Sequence, residues 1–298
     1  MKATPASERA FVLGEGPLWD DRTQALLWVD IQSRQVHRGT LIGERIEPSA
    51  TIGLPATVGA VALTERDDRW LAAVHDRLML IGPTGPLAHT PPWFDGAVRR
   101  FNDGQVDPTG RFVVGTLRLE GGSTTEKLLR ADSREVTVID DDLTLSNGLA
   151  WSADGSRFYS IDTISRTIRV RSYDPIGDAI GDWSVFATLD RGYPDGMCID
   201  ADDHLWVAVW GGGAVLRFSP EGAIVDRIEV AAPHTSSVTF AGPELDVLVI
   251  TTAREELTAQ QLREFPRSGC LFTATPGVHG VPVRRVAASV IDRLFPTL

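Results

Sequence analysis

One short apolar strand pattern recurs six times along the chain, and it constrains the fold more than any other feature. Its copies are Leu26–Asp30, Arg69–Val74, Arg111–Thr116, Arg157–Asp162, His204–Val209 and Asp246–Thr251. Successive copies begin 42 to 47 residues apart, close to the length of one four-stranded propeller blade. The repeat therefore predicts six blades.

Each copy follows a turn rich in Asp and Gly, such as Asp154-Gly155 or Asp202-Asp203, because these residues close hairpins readily. A shorter apolar strand precedes each turn, and a third and usually a fourth strand follow the copy. No room is left for the helices of a βαβ fold. We predict an all-β, six-bladed β-propeller with four antiparallel strands per blade, forming a single domain over residues 1–298. The one segment with helical periodicity is Glu255–Glu264, for which we predict a short surface helix, with a solvated loop as the alternative.

Composition narrows the possible partners and the compartment. The chain has a formal net charge of −11, which disfavours nucleic acid because phosphates would be repelled. No apolar run is long enough to cross a membrane, and the first residues do not resemble a signal sequence, so we expect a cytoplasmic protein. Two cysteines, Cys198 and Cys270, are too few for a disulfide framework, and we expect both to be buried. Our default for the oligomeric state is a monomer.

The innermost strand of each blade lines the central channel, so equivalent positions in the repeat should converge there. The residue before the glycine that opens this strand is the candidate position. The pairs, in blade order, are Glu15-Gly16, Val58-Gly59, Asp103-Gly104, Asn147-Gly148 and Asp195-Gly196, with Ser236-Ser237 in the sixth blade. Three carboxylates and one amide are thus expected around a narrow axis.

Charges packed this closely repel one another, and a bound cation would relieve the repulsion. Glu15, Asn147 and Asp195 offer oxygen ligands only, which suit Ca²⁺, Mg²⁺ or Mn²⁺ better than a structural zinc site. We predict one divalent metal ion, with Ca, Zn, Mn, Mg and Fe all left open. The alternative is a solvated channel without a metal.

Other catalytic signatures are weak. The six histidines are scattered without metal-ligand spacing, and no Gly-x-Ser-x-Gly elbow is present. His234 precedes the sixth inner strand and could approach the channel mouth. Trp210 either lines the pocket or packs in the core.

Four motifs resemble the SMP-30/gluconolactonase/luciferin-regenerating-enzyme family. They are Gly14–Trp19, Arg100–Gly104 with Asp107-Pro108, Ser146–Ser152 and Pro194–Gly196. The resemblance implies the same six-bladed fold, with Glu15, Asn147 and Asp195 matching metal ligands. It implies that Arg100 and Asn102 bind substrate oxygens, and that Glu120 is a further substrate-contacting acid. The stretch Glu126–Arg130 departs from the family pattern, and we expect it to form a loop bordering the pocket.

The family implies a metal-dependent lactonase that opens a small sugar lactone. The acidic net charge and the lack of a long apolar run, by themselves, lead us to expect no nucleic-acid or membrane partner. Asp195 is the candidate general base for the attacking water, and a water made acidic by the metal is the alternative. Two other functions stay open. One is a related metal-dependent esterase acting on a phosphotriester or an aliphatic lactone, and the other is a non-enzymatic calcium-binding regulatory propeller.

Overall fold

Six antiparallel sheets stand around a central axis in the computed structural model, which describes residues 1–296. The innermost strand of each sheet contacts the innermost strands of both neighbouring sheets, so the ring is closed. The predicted six-bladed propeller is confirmed, although blade 4 carries a fifth short strand. Residues 297 and 298 of the predicted domain lie outside the described residues.

Each blade is built from strands that follow one another in the chain, beginning at the axis and moving outward. Blade 1 contains Gly14–Asp20, Ala25–Asp30, Gln35–Ile42 and Arg45–Gly53; blade 2 contains Val58–Leu63, Trp70–Val74, Arg77–Gly82 and Gly85–His89; blade 3 contains Arg99–Val106, Phe112–Arg118, Glu126–Ala131 and Val136–Leu143. Blade 4 contains Ser146–Trp151, Arg157–Asp162 and Thr167–Asp174, against which both Ala179–Ile180 and Ser184–Thr188 pair; blade 5 contains Tyr193–Ile199, Leu205–Trp210, Ala214–Phe218 and Ile224–Glu229; blade 6 contains Thr235–Ala241, Val247–Thr252, Phe272–Ala274 and, from the start of the chain, Thr4–Pro5.

The N-terminal strand closes the ring. Thr4–Pro5 is the outermost strand of blade 6 and pairs antiparallel with Phe272–Ala274, so the two ends of the repeat share one sheet. The repeat pattern did not predict this strand, because it is only two residues long and both residues are exposed.

The core is divided among the six interfaces between neighbouring blades. In blade 2, Val61 packs with Leu27 of blade 1, whereas the preceding Ala60 packs with Phe101 of blade 3. Successive side chains of a strand point to opposite faces, so a blade that is covered on both sides needs apolar residues at consecutive positions. This explains why the second strands read as nearly continuous apolar runs.

Helices are short and peripheral. The helix predicted at Glu255–Glu264 begins only at Ala259, where Thr258 forms a capping box with Gln261, and the preceding glutamates lie in a turn. A second helix, Ala288–Leu294, packs Val290 and Ile291 against the interface of blades 2 and 3. Within residues 1–296 we find no helix with the length and apolar character that crossing a bilayer requires.

Glycines in the inner strands let neighbouring backbones touch near the axis. A Cβ on Gly59 would overlap the carbonyl oxygen of Asn102 in blade 3, and one on Gly148 would lie 2.6 Å from that of Asp195 in blade 5. Any side chain at these positions would push the next inner strand away. The recurring glycine is therefore needed where neighbouring inner strands come into backbone contact.

We predict that Gly59→Ala lowers the free energy of unfolding by about 1–3 kcal/mol, because the new methyl group has no space. Urea unfolding followed by circular dichroism measures the change. Gly53→Ala is the matched control, since its Cβ would meet no atom within 4 Å. Equal stability of the two variants would contradict the close packing that we describe.

Candidate functional site

Every inner strand carries a β-bulge where it pairs with the second strand of its blade. The bulges lie between Glu15 and Leu18, Val58 and Ala60, Phe101 and Gly104, Asn147 and Leu149, Pro194 and Met197, and Thr235 and Ser237. A bulge adds one residue on one strand and redirects the local side chains. The equivalence that we read from the sequence repeat is therefore also an equivalence in backbone geometry.

A single cleft of about 530 Å³ brings together most of the predicted site residues. Glu15, Arg100, Asn102, Asn147 and Asp195 all line it, from blades 1, 3, 4 and 5. All five are less than a tenth exposed. The volume falls in the range typical of small-molecule sites, so the cleft is the candidate functional site.

Asn102 connects Arg100 to the amide side chain of Asn147. Its Oδ1 accepts a hydrogen bond from Arg100 Nη1 at 2.7 Å, and its Nδ2 donates to Asn147 Oδ1 and to the Ser146 carbonyl, both at 3.0 Å. Both amide hydrogens of Asn102 are therefore used inside the protein. Its first effect is to orient Arg100 and Asn147.

Thr163 fixes the other side of Asn147. The Asn147 Nδ2 donates to Thr163 Oγ1 at 3.0 Å, and that hydroxyl donates to the Pro194 carbonyl at 2.9 Å. The amide nitrogen is thereby occupied, and the Asn147 oxygen, which accepts one hydrogen bond from Asn102, keeps a second lone pair for another partner. No sequence motif marks Thr163, because its role follows from contacts between blades 4 and 5.

Burial disfavours the charged forms of the carboxylates in the site. Burial, with the nearby negative charge of Asp103, raises the pKa of Glu15 to about 8. Burial and the charges of Glu15 and Asp103 also raise the pKa of Asp195 well above its ordinary value. Arg100 opposes both shifts, but burial lowers the pKa of this guanidinium itself to about 10.

The donor set fits a hard divalent cation. Asp195 is 5% exposed, yet its carboxylate accepts no hydrogen bond from any residue of the described chain. Glu15 takes only the N–H of Gly16, at 2.9 Å, on one of its two oxygens. Free carboxylate oxygens beside an oriented amide oxygen are the ligands that Ca²⁺, Mg²⁺ and Mn²⁺ prefer.

A third ligand for such a cation would have to come from a residue other than His, Cys, Asp or Glu, and Asn147 offers an amide oxygen. Within residues 1–296, no group of three or more His, Cys, Asp or Glu side chains could hold a metal ion. Asp103, the third carboxylate of the ring, does not line the cleft, and its Oδ1 accepts the N–H of Gly104 at 2.7 Å. Ser236, at the sixth position, is fully buried and donates to the Gly14 carbonyl at 2.6 Å, so it links blades 6 and 1 instead.

Glu120 and the stretch Glu126–Arg130, both expected near the substrate, do not line the cleft. Glu120 is exposed, and its backbone carbonyl accepts a hydrogen bond from Arg118 Nε at 3.0 Å, so its contact with substrate stays a prediction. The expectation of a pocket-bordering loop at Glu126–Arg130 is wrong. This stretch is the third strand of blade 3, and the fully buried Glu126 accepts a bond from Thr116 Oγ1 at 2.7 Å.

The aromatic wall of the cleft is formed by Trp210 and Tyr193. Trp210 stacks on His234 with ring centroids 4.0 Å apart, and His234 lies behind it rather than in the cleft lining. Burial lowers the pKa of His234. A neutral imidazole in this position supports the wall and does not face the polar floor.

Several lining residues were not predicted. They are Gln32, Leu119, Ile164, Glu255 and Glu256, all from turns and loops at the cleft mouth. Such residues follow no strand periodicity, so the repeat pattern cannot locate them.

We predict that, in the presence of chelator, protonation of Glu15 contributes stability that is lost as the pH rises. The folded pKa is about 8, above the ordinary 4.5, so this contribution is complete below about 4.5 and disappears as the pH passes through about 8. The wild type and Glu15→Gln should therefore have similar melting temperatures near pH 5, and the wild type should melt progressively below the variant as the pH rises to about 9. A wild type that keeps or gains melting temperature relative to the variant over this range would contradict the assignment.

The chain is similar to proteins of one known family over most of its length. The profile of the SMP-30/Gluconolactonase/LRE-like region matches residues 13–254. A 6-deoxy-6-sulfogluconolactonase of Pseudomonas putida is 35% identical over 277 residues, covering 90% of this chain and 93% of the relative. Regucalcin of Gallus gallus is 32% identical, covering 91% of this chain and 93% of the relative.

Among solved structures, regucalcin of Agrobacterium tumefaciens, described as a calcium-binding protein, is similar with a TM-score of 0.88. Its sequence identity is 28%, and the match covers 96% of this chain and 97% of that structure. The resemblance read from the motifs is confirmed, and the chain belongs to the SMP-30/gluconolactonase/LRE-like family.

Proposed function

We propose that this protein is a metal-dependent lactonase that opens a small sugar lactone. The observation that carries the proposal is the cleft floor, where Glu15 and Asp195 are buried together beside an oriented amide and a guanidinium. The names of the relatives support it, since a gluconolactonase-type enzyme matches nine-tenths of the chain.

Glu15, Asn147 and Asp195 would hold the divalent ion through oxygen atoms. When bound, the ion would supply Lewis acidity toward the lactone carbonyl. The raised pKa values of the two carboxylates support this role, because buried acids of like charge are stabilised in their ionised form by a nearby cation.

Asp195 is the proposed general base. Hydrolysis requires the water oxygen to bond to the carbonyl carbon while the water proton passes to a base. The proton is then delivered to the ring oxygen as the bond between the carbonyl carbon and this oxygen breaks, which leaves an open-chain hydroxy acid. Asp195 is suited to both transfers because its carboxylate lines the cleft and accepts no hydrogen bond from residues 1–296, so an oxygen is free to take up and return a proton.

Arg100 is the proposed donor to the substrate. Its Nη1 is occupied by Asn102 and the Phe101 carbonyl, at 2.7 and 2.8 Å, while its Nε and Nη2 form no hydrogen bond within the described residues. These two groups can donate to the carbonyl or hydroxyl oxygens of a lactone. Asn102 would act by orienting Arg100. Glu120 does not line the cleft, so it would contact only a part of the substrate that extends beyond the cleft.

An aliphatic lactone is the second candidate substrate. Leu119 and Ile164 line the cleft and are 43% and 57% exposed at its mouth. Exposed aliphatic side chains at a binding site favour an apolar substituent. A non-enzymatic calcium-binding propeller is the remaining alternative, and it would bind the ion without turnover.

A substrate panel with metal replacement tests the function. Chelated protein is assayed with a pH indicator on aldonolactones, γ-alkyl lactones and a phosphotriester, with Ca²⁺, Mg²⁺, Mn²⁺ and Zn²⁺ added back singly. We expect negligible turnover without metal and the fastest turnover on an aldonolactone. Tight ion binding without hydrolysis of any compound would contradict the lactonase proposal and favour the calcium-binding alternative.

We predict that Asp195→Asn and Asn147→Ala each lower kcat/KM by at least about 100-fold at saturating metal, while the fold is retained. Circular dichroism and melting temperature check the fold. Asp103→Asn is the matched control, because it removes a carboxylate from the same ring of bulges without altering the cleft lining, and we expect a change of less than about fivefold. Near wild-type turnover of Asp195→Asn would eliminate its role as the base.

A further inference from the structure

Glu255 lies on the cleft wall just beyond the family-matched residues 13–254. The N–H groups of Arg254 and Glu255 both donate to the Val12 carbonyl, at 2.9 and 3.0 Å. The Glu255 carbonyl accepts a hydrogen bond from His234 Nδ1 at 2.9 Å. These bonds attach the turn to blade 6 and to the segment that leads into blade 1, so the backbone of Glu255 is held in place.

The Glu255 carboxylate is half-buried and only partly satisfied. Its Oε1 accepts a hydrogen bond from Gln32 Nε2 at 2.5 Å, and both side chains line the cleft. It forms no salt bridge with any Lys, Arg or His of the described chain. One carboxylate oxygen is therefore free of protein donors and available to the cleft.

Charged side chains of both signs line the cleft, with the cationic Arg100 and Arg118 and, on the wall, the acidic Glu255 and Glu256. Burial raises the pKa of Glu255, and the hydrogen bond from Gln32 and the charge of Arg100 oppose this shift. Arg100 has only donors to offer, whereas an ionised carboxylate only accepts. A ligand between them would need an acceptor toward the floor and a donor toward the wall.

A hydroxyl group is the donor that this wall fits. A carboxylate or sulfonate at the same place would be repelled by Glu255 and by the adjacent Glu256, which also lines the cleft. Because Glu255 is half-buried, this repulsion is screened less by solvent than between fully exposed groups.

We infer that Glu255 is a specificity-determining residue that accepts a hydrogen bond from a hydroxyl of a neutral polyhydroxy lactone and excludes lactones with an additional negative charge. This inference rests on the proposed function, which it refines by assigning the substrate class. Gln32 is a positioning residue that holds the carboxylate against the wall.

Two lactones that differ only at C6 provide the test. D-Glucono-1,4-lactone has a hydroxymethyl group there, and D-glucaro-1,4-lactone has a carboxylate. We expect the wild type to prefer the neutral compound. Glu255→Gln should raise KM for the neutral lactone about fivefold with kcat changed less than about twofold, and should lower KM for the anionic one, because the amide is a weaker acceptor without charge.

Glu264→Gln is the matched control, because Glu264 is exposed on the helix that follows and does not line the cleft. It should leave both KM values unchanged. An unchanged ratio of the two KM values in Glu255→Gln would overturn the inference. A large loss of kcat together with one limb of the pH profile would also overturn it, since Glu255 would then transfer protons.

A binding measurement separates this inference from the proposed function. Inactive wild-type protein would contradict lactonase activity, but calorimetric titration with 1,5-anhydro-D-glucitol, a ring polyol without a hydrolysable bond, does not depend on turnover. Weaker binding by Glu255→Gln than by wild type supports the hydroxyl contact. Equal affinities, or no binding by either protein, overturn it.

Discussion

The close approach of six inner strands at one axis is the constraint on which the rest of the structure depends. Gly59 and Gly148 allow the backbone of one blade to touch that of the next, and Ser236 links the sixth blade to the first. A bulge in each inner strand accommodates this convergence and turns side chains toward the channel. The geometry that closes the ring thus also concentrates polar groups in a small volume.

Concentration of charge at the axis has an electrostatic cost. Burial raises the pKa values of Glu15, Asp103 and Asp195, the charge of Asp103 adds to the shifts of the other two, and the single guanidinium of Arg100 compensates only in part. A purely structural ring would place small or apolar residues here, as blade 2 does with the fully buried Val58. A bound cation would neutralise these acids and so remove the electrostatic cost of burying them together. Without a cation, their protonation changes with pH.

The cleft combines a floor and a mouth of different origin. The floor comes from strand positions that are equivalent in the repeat, and a network through Asn102 and Thr163 makes it rigid. The mouth comes from turns, with aliphatic Leu119 and Ile164 on blades 3 and 4 and acidic Glu255 between the second and third strands of blade 6. Under the proposed function, the floor would carry the chemistry and the mouth would select the substrate.

Much of the fold and of the cleft floor was determined by the sequence alone. Apolar runs at a fixed period predict blades because a sheet covered on both faces needs apolar side chains at consecutive positions. Residues before the recurrent glycines, Glu15, Asn147 and Asp195 among them, could be assigned to the axis because repeat position maps onto blade position. The tertiary structure decided the rest. It placed Glu126 in a buried strand, left Glu120 outside the cleft lining and brought Thr163, Gln32 and Glu255 to the site. These outcomes depend on contacts between residues far apart in the chain, and local periodicity contains no information about such contacts.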